Sequence, residues 1–396
     1  MWKKISLLIT ALFLGVAIFA YVQIGKIQAT LAEKLKANQM EVDKISIEFF
    51  PAKITLTNLQ YAKFSYPVKA ETTNIQIDIG TLLTGELTLN NVVLKKITST
   101  SSTFPSIQQL SILGQIKPQQ NNLIFDDVLL DLQFVQPLYL DKSKFNFHII
   151  KGSFQSDEIA HPKFEADMLI NQQPISIVAD IKQLADEQKI LTLLFKGQNC
   201  TQCSAELKYT ARLANSLFTQ GFLQFNSHEF PMEHWLKMAN LSPAITGKAK
   251  IFANGIVQDG KLQKLDMPIS IKQGTLSGIN LLELASGILP INYDKENTPK
   301  DMPFSQLQLN SNWNGKLLYL NDISMLTEHI MVEGKGTANL AQIQCDVNLT
   351  LRPTNEKYQH ASLAVHFFDQ CNRPQYKLKI QAKDYLKQLL KQKFSH

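Results

Sequence analysis

The sequence predicts a mainly β protein, in which a single N-terminal transmembrane helix precedes a long antiparallel sheet with a few short helices. Three observations predict this class. An uncharged apolar run begins at Ile5, apolar and polar residues alternate with a period of two from residue 41 onward, and only three later stretches have helical periodicity. Alternation gives each strand one apolar and one polar face, which is typical of antiparallel sheets.

The run Ile5–Val22 is the candidate membrane anchor. It carries no charge and is long enough for a helix of about 27 Å, close to the thickness of the hydrocarbon core of a bilayer. Lysines before the run favour a cytoplasmic N-terminus, although Lys26 and Lys34 beyond it weaken that signal. We therefore expect residues 1–4 in the cytoplasm, a transmembrane anchor over 5–24 and a helical linker over 25–40.

A cleaved signal peptide is the alternative interpretation of the same run. Ala20 could serve as a weak cleavage site, but the apolar core is long for a signal peptide. Helical patterning also continues beyond the run, because Ile24, Ile27 and Leu31 fall on one face. An uncleaved anchor is favoured, and both interpretations export the rest of the chain.

Composition excludes some classes of partner. Of the 396 residues, 44% are hydrophobic and 19% are charged, so the chain can bury a core and is not of the disordered class. The net charge of +6 comes from scattered lysines, and arginine occurs only at Arg212, Arg352 and Arg373. A scattered charge does not form the basic patch of a nucleic-acid-binding protein, so we expect no nucleic-acid partner.

Four cysteines, an even number in an exported chain, favour disulfide bonds. Cys200 and Cys203 have the CxxC spacing, but an alternating, strand-like segment follows them instead of the helix of a redox-active site. A local bridge is therefore favoured, with free thiols or a redox or metal role as lesser alternatives. Cys345 and Cys371 could meet across a hairpin.

Three stretches interrupt the strand pattern with helical periodicity: Glu229–Asn240, Leu281–Leu289 and Lys383–Phe394. The second is strongly apolar and could be a lid, a plug or ordinary core. The third sets a leucine stripe against lysines, which predicts a basic amphipathic helix over 383–396. A cap over an open sheet edge is favoured for it, and a helix lying on an anionic membrane is the alternative.

The sequence contains no recognisable catalytic constellation. A GxSxG elbow, an HExxH motif, a P-loop and a GxGxxG motif are all missing from it, and its histidines are isolated. We therefore expect no enzymatic activity, no cofactor and no metal.

Two regions resemble the AsmA family. Lys44–Lys96 contains ISIEFFPAKITLTNL and then NIQIDIGTLLTGELTLNNVVLKK, which is similar to the N-terminal unit of that family. Ile271–Leu284 contains IKQGTLSGINLLEL, and Met302–Leu351 continues with PFSQLQLNSNWNGKLLYLNDISML and VEGKGTANL. The second match is the more specific one, because β-strand repeats look alike. Together the two regions cover about a third of the chain.

The resemblance implies a periplasmic protein held in the inner membrane of diderm bacteria by one helix. It implies an elongated, curled antiparallel sheet over residues 41–382, whose apolar groove holds the acyl chains of phospholipids, as in bridge-like lipid carriers. It also implies a role in lipid transport and outer-membrane integrity. The candidate groove residues lie on the apolar parity of the strands: Leu56, Ile77, Ile79, Leu87, Leu89, Ile269, Ile271, Leu307, Leu309, Val347, Leu349 and Leu351.

Other functions are compatible with the same strand pattern. A non-enzymatic assembly factor could bind nascent outer-membrane proteins through its strand edges. One or two closed β-barrels or sandwiches could instead face the same leucines towards each other in ordinary cores. The expected partners are phospholipid and the inner membrane, with an envelope protein as a possible further partner.

Overall fold

A computed structural model confirms that the protein is mainly β, with antiparallel strands and few helices. It describes residues 28–37, 39–49, 52–61, 67–77, 89–100, 105–119, 122–137, 142–155, 162–183, 188–198, 200–212, 220–258, 261–291, 293, 301–371 and 373–380. The predicted anchor over 5–24 and the predicted C-terminal helix over 383–396 lie outside these ranges. Among the described helices, none is both long and apolar enough to cross a membrane.

The chain divides into two compact units, and the first comprises Met1–Gln136. Residues 28–37 form helix α1, within the predicted linker. Gln28 Nε2 donates a hydrogen bond to the Ile45 carbonyl oxygen at 3.1 Å, which ties α1 to the sheet. Strands β1 and β2 both pair with β3, and each later strand pairs antiparallel with the next. The strands are β1 (Met40–Glu41), β2 (Lys44–Phe49), β3 (Ala52–Tyr61), β4 (Val68–Ile77), β5 (Leu89–Ser99), β6 (Ile107–Gln119) and β7 (Asn122–Phe134).

The second unit, Pro137–His396, is an antiparallel meander in which every described strand pairs with the next one along the chain. Within the described residues no pairing joins its first strand to its last, so the sheet is open, which disfavours a closed barrel. Its strands are β8 (Lys144–Gln155), β9 (Lys163–Ile170), β10 (Gln173–Gln183), β11 (Gln188–Lys196), β12 (Ser204–Arg212), β13 (Gln220–Pro231), β14 (Lys248–Gln258), β15 (Lys261–Leu276), β16 (Met302–Trp313), β17 (Leu318–Leu326), β18 (Ile330–Asn339), β19 (Gln344–Pro353), β20 (Leu363–Gln370) and β21 (Gln375–Ile380).

The two ends of strands β13–β21 differ in their connections. At one end, which we call the helix end, the chain forms α2 (Met232–Met238) between β13 and β14, and α3 (Leu281–Ser286) between β15 and β16. A short 3₁₀ helix, Glu356–Tyr358, joins β19 to β20 at the same end. The opposite end, which we call the turn end, carries short connections from β14 to β15, β16 to β17, β18 to β19 and β20 to β21.

Helices α2 and α3 each lie in a long connection between two strands whose adjoining ends pair directly with each other. Leu276 pairs directly with Met302, yet residues 277–301 lie between them. A hairpin needs only two to five loop residues, so a longer excursion usually has a function of its own. The side chain of Asn280 caps α3 by accepting a hydrogen bond from the Glu283 backbone N–H at 3.1 Å. Helix α3 is shorter than the predicted stretch Leu281–Leu289, and it ends at Gly287.

Candidate functional site

The candidate site is the apolar face of strands β15–β20, where register aligns side chains into three rows across the sheet. The helix-end row comprises Ile271, Leu307, Met325, Val332, Leu351 and Leu363. The middle row comprises Ile269, Leu309, Ile323, Gly334, Leu349 and Val365. The turn-end row comprises Ser311, Leu320, Gly336, Val347 and Phe367.

Helix α3 covers the helix-end row. Leu281 and Leu282 are each 2% exposed, and Ala285 is fully buried. They form one hydrophobic cluster with Ile271 and Leu351, which are 1% and 0% exposed. Ile271 and Leu351, which the sequence predicts as groove residues, are therefore buried in this structure. They are core residues, because α3 excludes solvent from their end of the face.

The middle row is half-exposed on several strands. Ile269, Leu309 and Leu349 are each half-buried, as is Val347 in the row beyond. The transition is abrupt, because Leu351 is fully buried and stands only two residues from Leu349 on the same face of β19. The face is thus closed at the helix end and partly accessible further along the strands, although Val365, Phe367 and Ser311 are buried there.

Two glycines keep this face shallow. A Cβ atom added to Gly334 would lie 2.5 Å from Leu349 Cδ2, and one added to Gly336 would lie 2.8 Å from Val347 Cγ2. The side chains of Leu349 and Val347 therefore lean over the backbone of β18, where only glycine leaves them room. An added Cβ would also lie 2.3 Å from the Asn348 carbonyl oxygen at Gly334 and 2.4 Å from the Asp346 carbonyl oxygen at Gly336, so a larger residue would force β18 and β19 apart.

Strand β21 carries exposed apolar side chains next to buried ones. Tyr376 is 51% exposed and Leu378 is 39% exposed. Their cross-strand neighbours on β20, Phe367 and Val365, are only 6% and 1% exposed. Since β21 has no second partner strand among the described residues, the apolar face reaches solvent at this edge.

Helix α2 covers the helix end of the preceding strands. The Trp235 ring makes edge-on contacts with Phe195 and Phe225, and Trp235 Nε1 donates to Ser227 Oγ at 3.2 Å. On the same helix, burial lowers the pKa of His234, and a hydrogen bond to the Pro174 backbone opposes this shift. His234 Nε2 is buried with no hydrogen-bond partner in the described part of the chain.

Both cysteine pairs proposed from the sequence form disulfide bonds. Cys200–Cys203 closes the β11–β12 loop at the helix end, where Cys203 Sγ lies 3.2 Å from the Glu229 carbonyl oxygen. Cys345–Cys371 joins the start of β19 to the residue after β20 at the turn end. Each disulfide thus braces a connection between neighbouring strands.

The remaining predicted groove residues belong to the first unit. Leu56 lies on β3 and is 2% exposed, so it is buried and not an exposed lining residue. Ile77 and Leu89 pair with each other on β4 and β5, and only their backbones are described. Ile79 and Leu87 lie outside the described residues. The exposed part of the site therefore rests on Ile269, Leu307, Leu309, Val347 and Leu349.

Sequence reasoning missed several residues of the same face. Ile323, Val365 and Phe367 occupy the middle and turn-end rows, and Tyr376 and Leu378 extend them onto β21. Strand alternation was the signal available for most of them. Ile323 is harder to assign, because a register shift between Leu320 and Ile323 changes the parity of β17.

The site contains no group typical of catalysis or metal binding. Across the described ranges, no cluster of three or more His, Cys, Asp or Glu side chains could hold a metal ion. What the face offers chemically is aliphatic surface, which can remove an apolar ligand from water.

Comparison with known proteins gives one relative. The chain is 27% identical over 394 residues to a Haemophilus influenzae protein, described as an uncharacterized protein, and the match covers 95% of each chain. No protein-family model matches the sequence. No solved structure matches it.

Proposed function

We propose that this protein is anchored in the inner membrane, faces the periplasm and binds phospholipid acyl chains on the apolar face of its sheet. It would thereby support lipid transport and outer-membrane integrity. The observation that carries the proposal is the partly buried middle row, above all Leu309 and Leu349, beside a helix-end row in which every residue except Leu307 is buried.

Part of the apolar surface of these strands remains accessible to water. Burying apolar surface is favourable by about 25 cal/mol per Å², so aligned, half-exposed leucines on several strands gain stability when an apolar ligand covers them. Single exposed apolar residues need no explanation, whereas a contiguous apolar surface indicates a binding site. An acyl chain is long, flexible and featureless, and it suits a shallow row without polar groups better than a compact ligand does.

Other features support the proposed location of the protein in the cell envelope. The two disulfides favour an oxidising compartment such as the periplasm. The uncharged N-terminal run favours a membrane anchor, and the resemblance to the AsmA family favours an elongated, curled groove that carries lipid. Open, consecutively paired sheets in both units are compatible with such a groove.

A second candidate function rests on the edge strand β21. Its exposed Tyr376 and Leu378 could support pairing with a strand of another protein, as in an assembly factor for outer-membrane proteins. This function predicts that the chain captures polypeptide at β21, whereas the lipid-binding function predicts that it captures lipid at the middle row.

Lipid carried by the intact protein tests the first proposal. The full chain is purified from cell envelopes, and its organic extract is analysed by mass spectrometry beside an unrelated single-pass membrane protein purified in the same way. We expect phospholipid well above the background of that protein. Recovery at background level would refute lipid binding.

Paired variants localise the bound lipid. Leu309→Asp places a charge on the middle row, and Gln308→Asp places the same charge on the opposite, exposed face of the same strand. We expect Leu309→Asp to lower the lipid content several-fold and Gln308→Asp to leave it unchanged, with both variants folded by circular dichroism. Equal lipid content in the two variants would contradict binding at this row.

A further inference from the structure

We propose that the ligand is an anionic amphiphile that lies along the strands, with its tail towards α3 and its charged head at the turn end. This inference rests on the proposed lipid-binding function and adds an orientation and a head-group class to it. Two independent observations lead to it: the position of α3 and the distribution of charge between the two ends of the sheet.

Helix α3 determines which end of the face can admit a ligand. Its buried residues Leu281, Leu282 and Ala285 belong to the cluster that fills the helix-end row. A tail that lies on Leu349 and Leu309 therefore meets a packed core when it extends towards α3. Towards the turn end it continues over Val347, which is half-buried.

Charge at the helix end disfavours an anionic head. The described helix-end connections carry five carboxylates and two lysines, with histidine left uncounted: Glu233, Glu283, Asp301, Glu328, Glu356, Lys237 and Lys357. An anion placed there would be repelled by this excess of negative charge.

Charge at the turn end has the opposite sign. Lys261 begins β15, Lys316 lies in the β16–β17 turn and Arg373 lies in the β20–β21 turn. Within the described residues none of these three side chains takes part in an ion pair. The β16–β17 turn lies beside the start of β15, because a Cβ added to Gly315 would lie 3.4 Å from the Gln263 carbonyl oxygen.

Fewer carboxylates than cations lie at the turn end. Asp266 pairs with Lys264 at 3.1 Å, whereas Asp369 accepts a hydrogen bond only from the neutral Gln375 Nε2 at 3.2 Å, and Asp346 lies 3.0 Å from His366 Nε2. Among the described residues, the three cations without an ion pair therefore outnumber Asp346 and Asp369 beside this end of the apolar face. A phosphate head group complements this end, since opposite charges attract over several ångströms at a protein surface.

Two lipids with identical acyl chains and different heads test the inference. The full chain in mild detergent is titrated with fluorescent phosphatidylglycerol, which is anionic, and with the matching phosphatidylcholine, which is zwitterionic. The turn-end variant Lys261→Gln/Lys316→Gln/Arg373→Gln is compared with the helix-end control Lys237→Gln/Lys272→Gln/Lys357→Gln, in which Lys272 is an exposed residue of β15 four residues from its helix end. Each variant removes three positive charges, and circular dichroism checks that both are folded.

We expect the turn-end variant to bind phosphatidylglycerol about tenfold more weakly, equivalent to 1.4 kcal/mol, and phosphatidylcholine within twofold of the wild type. The helix-end control should bind both lipids as the wild type does. Equal effects of the two variants, or equal loss of both lipids, would overturn the assigned orientation. Glycerol phosphate alone should not compete, and competition by it would show a site for a free anion.

The outcomes separate this inference from the function on which it rests. If the wild type binds neither lipid, the lipid-binding function itself fails. If the wild type binds both lipids equally and the turn-end variant changes nothing, lipid binding stands and the head-group preference fails.

Discussion

Leu351 and Leu349 stand two residues apart on one face of β19 and differ in what covers them. Leu351 is fully buried in the cluster that contains α3, whereas Leu349 packs against the edge of this cluster and is only partly buried. Strand, face and residue type are the same. The difference therefore comes from the excursion over residues 277–301, which places an apolar helix over one end of the sheet only.

This comparison teaches that an alternating apolar face does not by itself determine whether a residue serves stability or binding. At the helix end the protein covers its own apolar surface and gains a core. Further along the strands the same surface remains accessible and can gain stability from a ligand. The predictions below are ordered from the largest expected effect to the smallest.

The first prediction contrasts Leu351→Asp with Leu349→Asp. An unpaired charge in the closed core should lower the free energy of unfolding by roughly 3–5 kcal/mol, because it cannot be solvated there. The same charge at Leu349 can reach water and should cost about 1 kcal/mol. Urea unfolding followed by tryptophan fluorescence measures both. Equal losses would mean that Leu349 belongs to the same closed core.

The second prediction contrasts the disulfides at the two ends. Replacing Cys345 and Cys371 by serine opens a loop with a sequence separation of 26, and the chain-entropy relation predicts a loss of about 3.5 kcal/mol. Replacing Cys200 and Cys203, with a separation of 3, should cost about 1.6 kcal/mol by the same relation. Urea unfolding of the two double variants measures both losses of free energy. A larger loss for the Cys200 and Cys203 variant than for the Cys345 and Cys371 variant would contradict the prediction.

The third prediction concerns His234 and acid stability at the helix end. Burial lowers its pKa, opposed in part by the Pro174 backbone and the Glu233 charge, while the Lys237 charge lowers it further. The unfolded chain therefore binds more protons than the folded one below about pH 6.5. The stability contributed by neutral His234 is fully present above that pH and is lost as the pH falls through the folded pKa.

His234→Gln should therefore reduce the loss of stability between pH 7 and pH 5, by less than about 1 kcal/mol. The melting temperature measured across that range tests this expectation. His360 is exposed, and the control variant His360→Gln should show the same dependence of melting temperature on pH as the wild type. If that dependence were also unchanged in His234→Gln, burial of this histidine would not govern acid stability.

Strand periodicity predicts most of the fold from the sequence. The alternation at Val347, Leu349 and Leu351 indicates a strand with one apolar face, and the structure places all three on β19. Helices α2 and α3 also fall inside predicted helical stretches, although both are shorter than predicted. Local pattern suffices here because alternation and helical periodicity are properties of neighbouring residues.

The division of the face into core and accessible rows could not be predicted. It depends on where α3 packs, which brings residues far apart in sequence, such as Leu282 and Leu351, into one hydrophobic cluster. Register shifts add a second obstacle. An extra residue between Leu320 and Ile323 moves Ile323 onto the apolar face, and no simple alternation anticipates this.

Photocrosslinking in living cells tests the central claim most directly. A photoreactive amino acid is introduced at position 349 of the full chain, with position 348 on the opposite face of β19 as the matched control, and the adducts are analysed by mass spectrometry. We predict phospholipid adducts at 349 and none above background at 348. Absence of lipid at 349, or equal adducts at both positions, would contradict an accessible lipid-binding face.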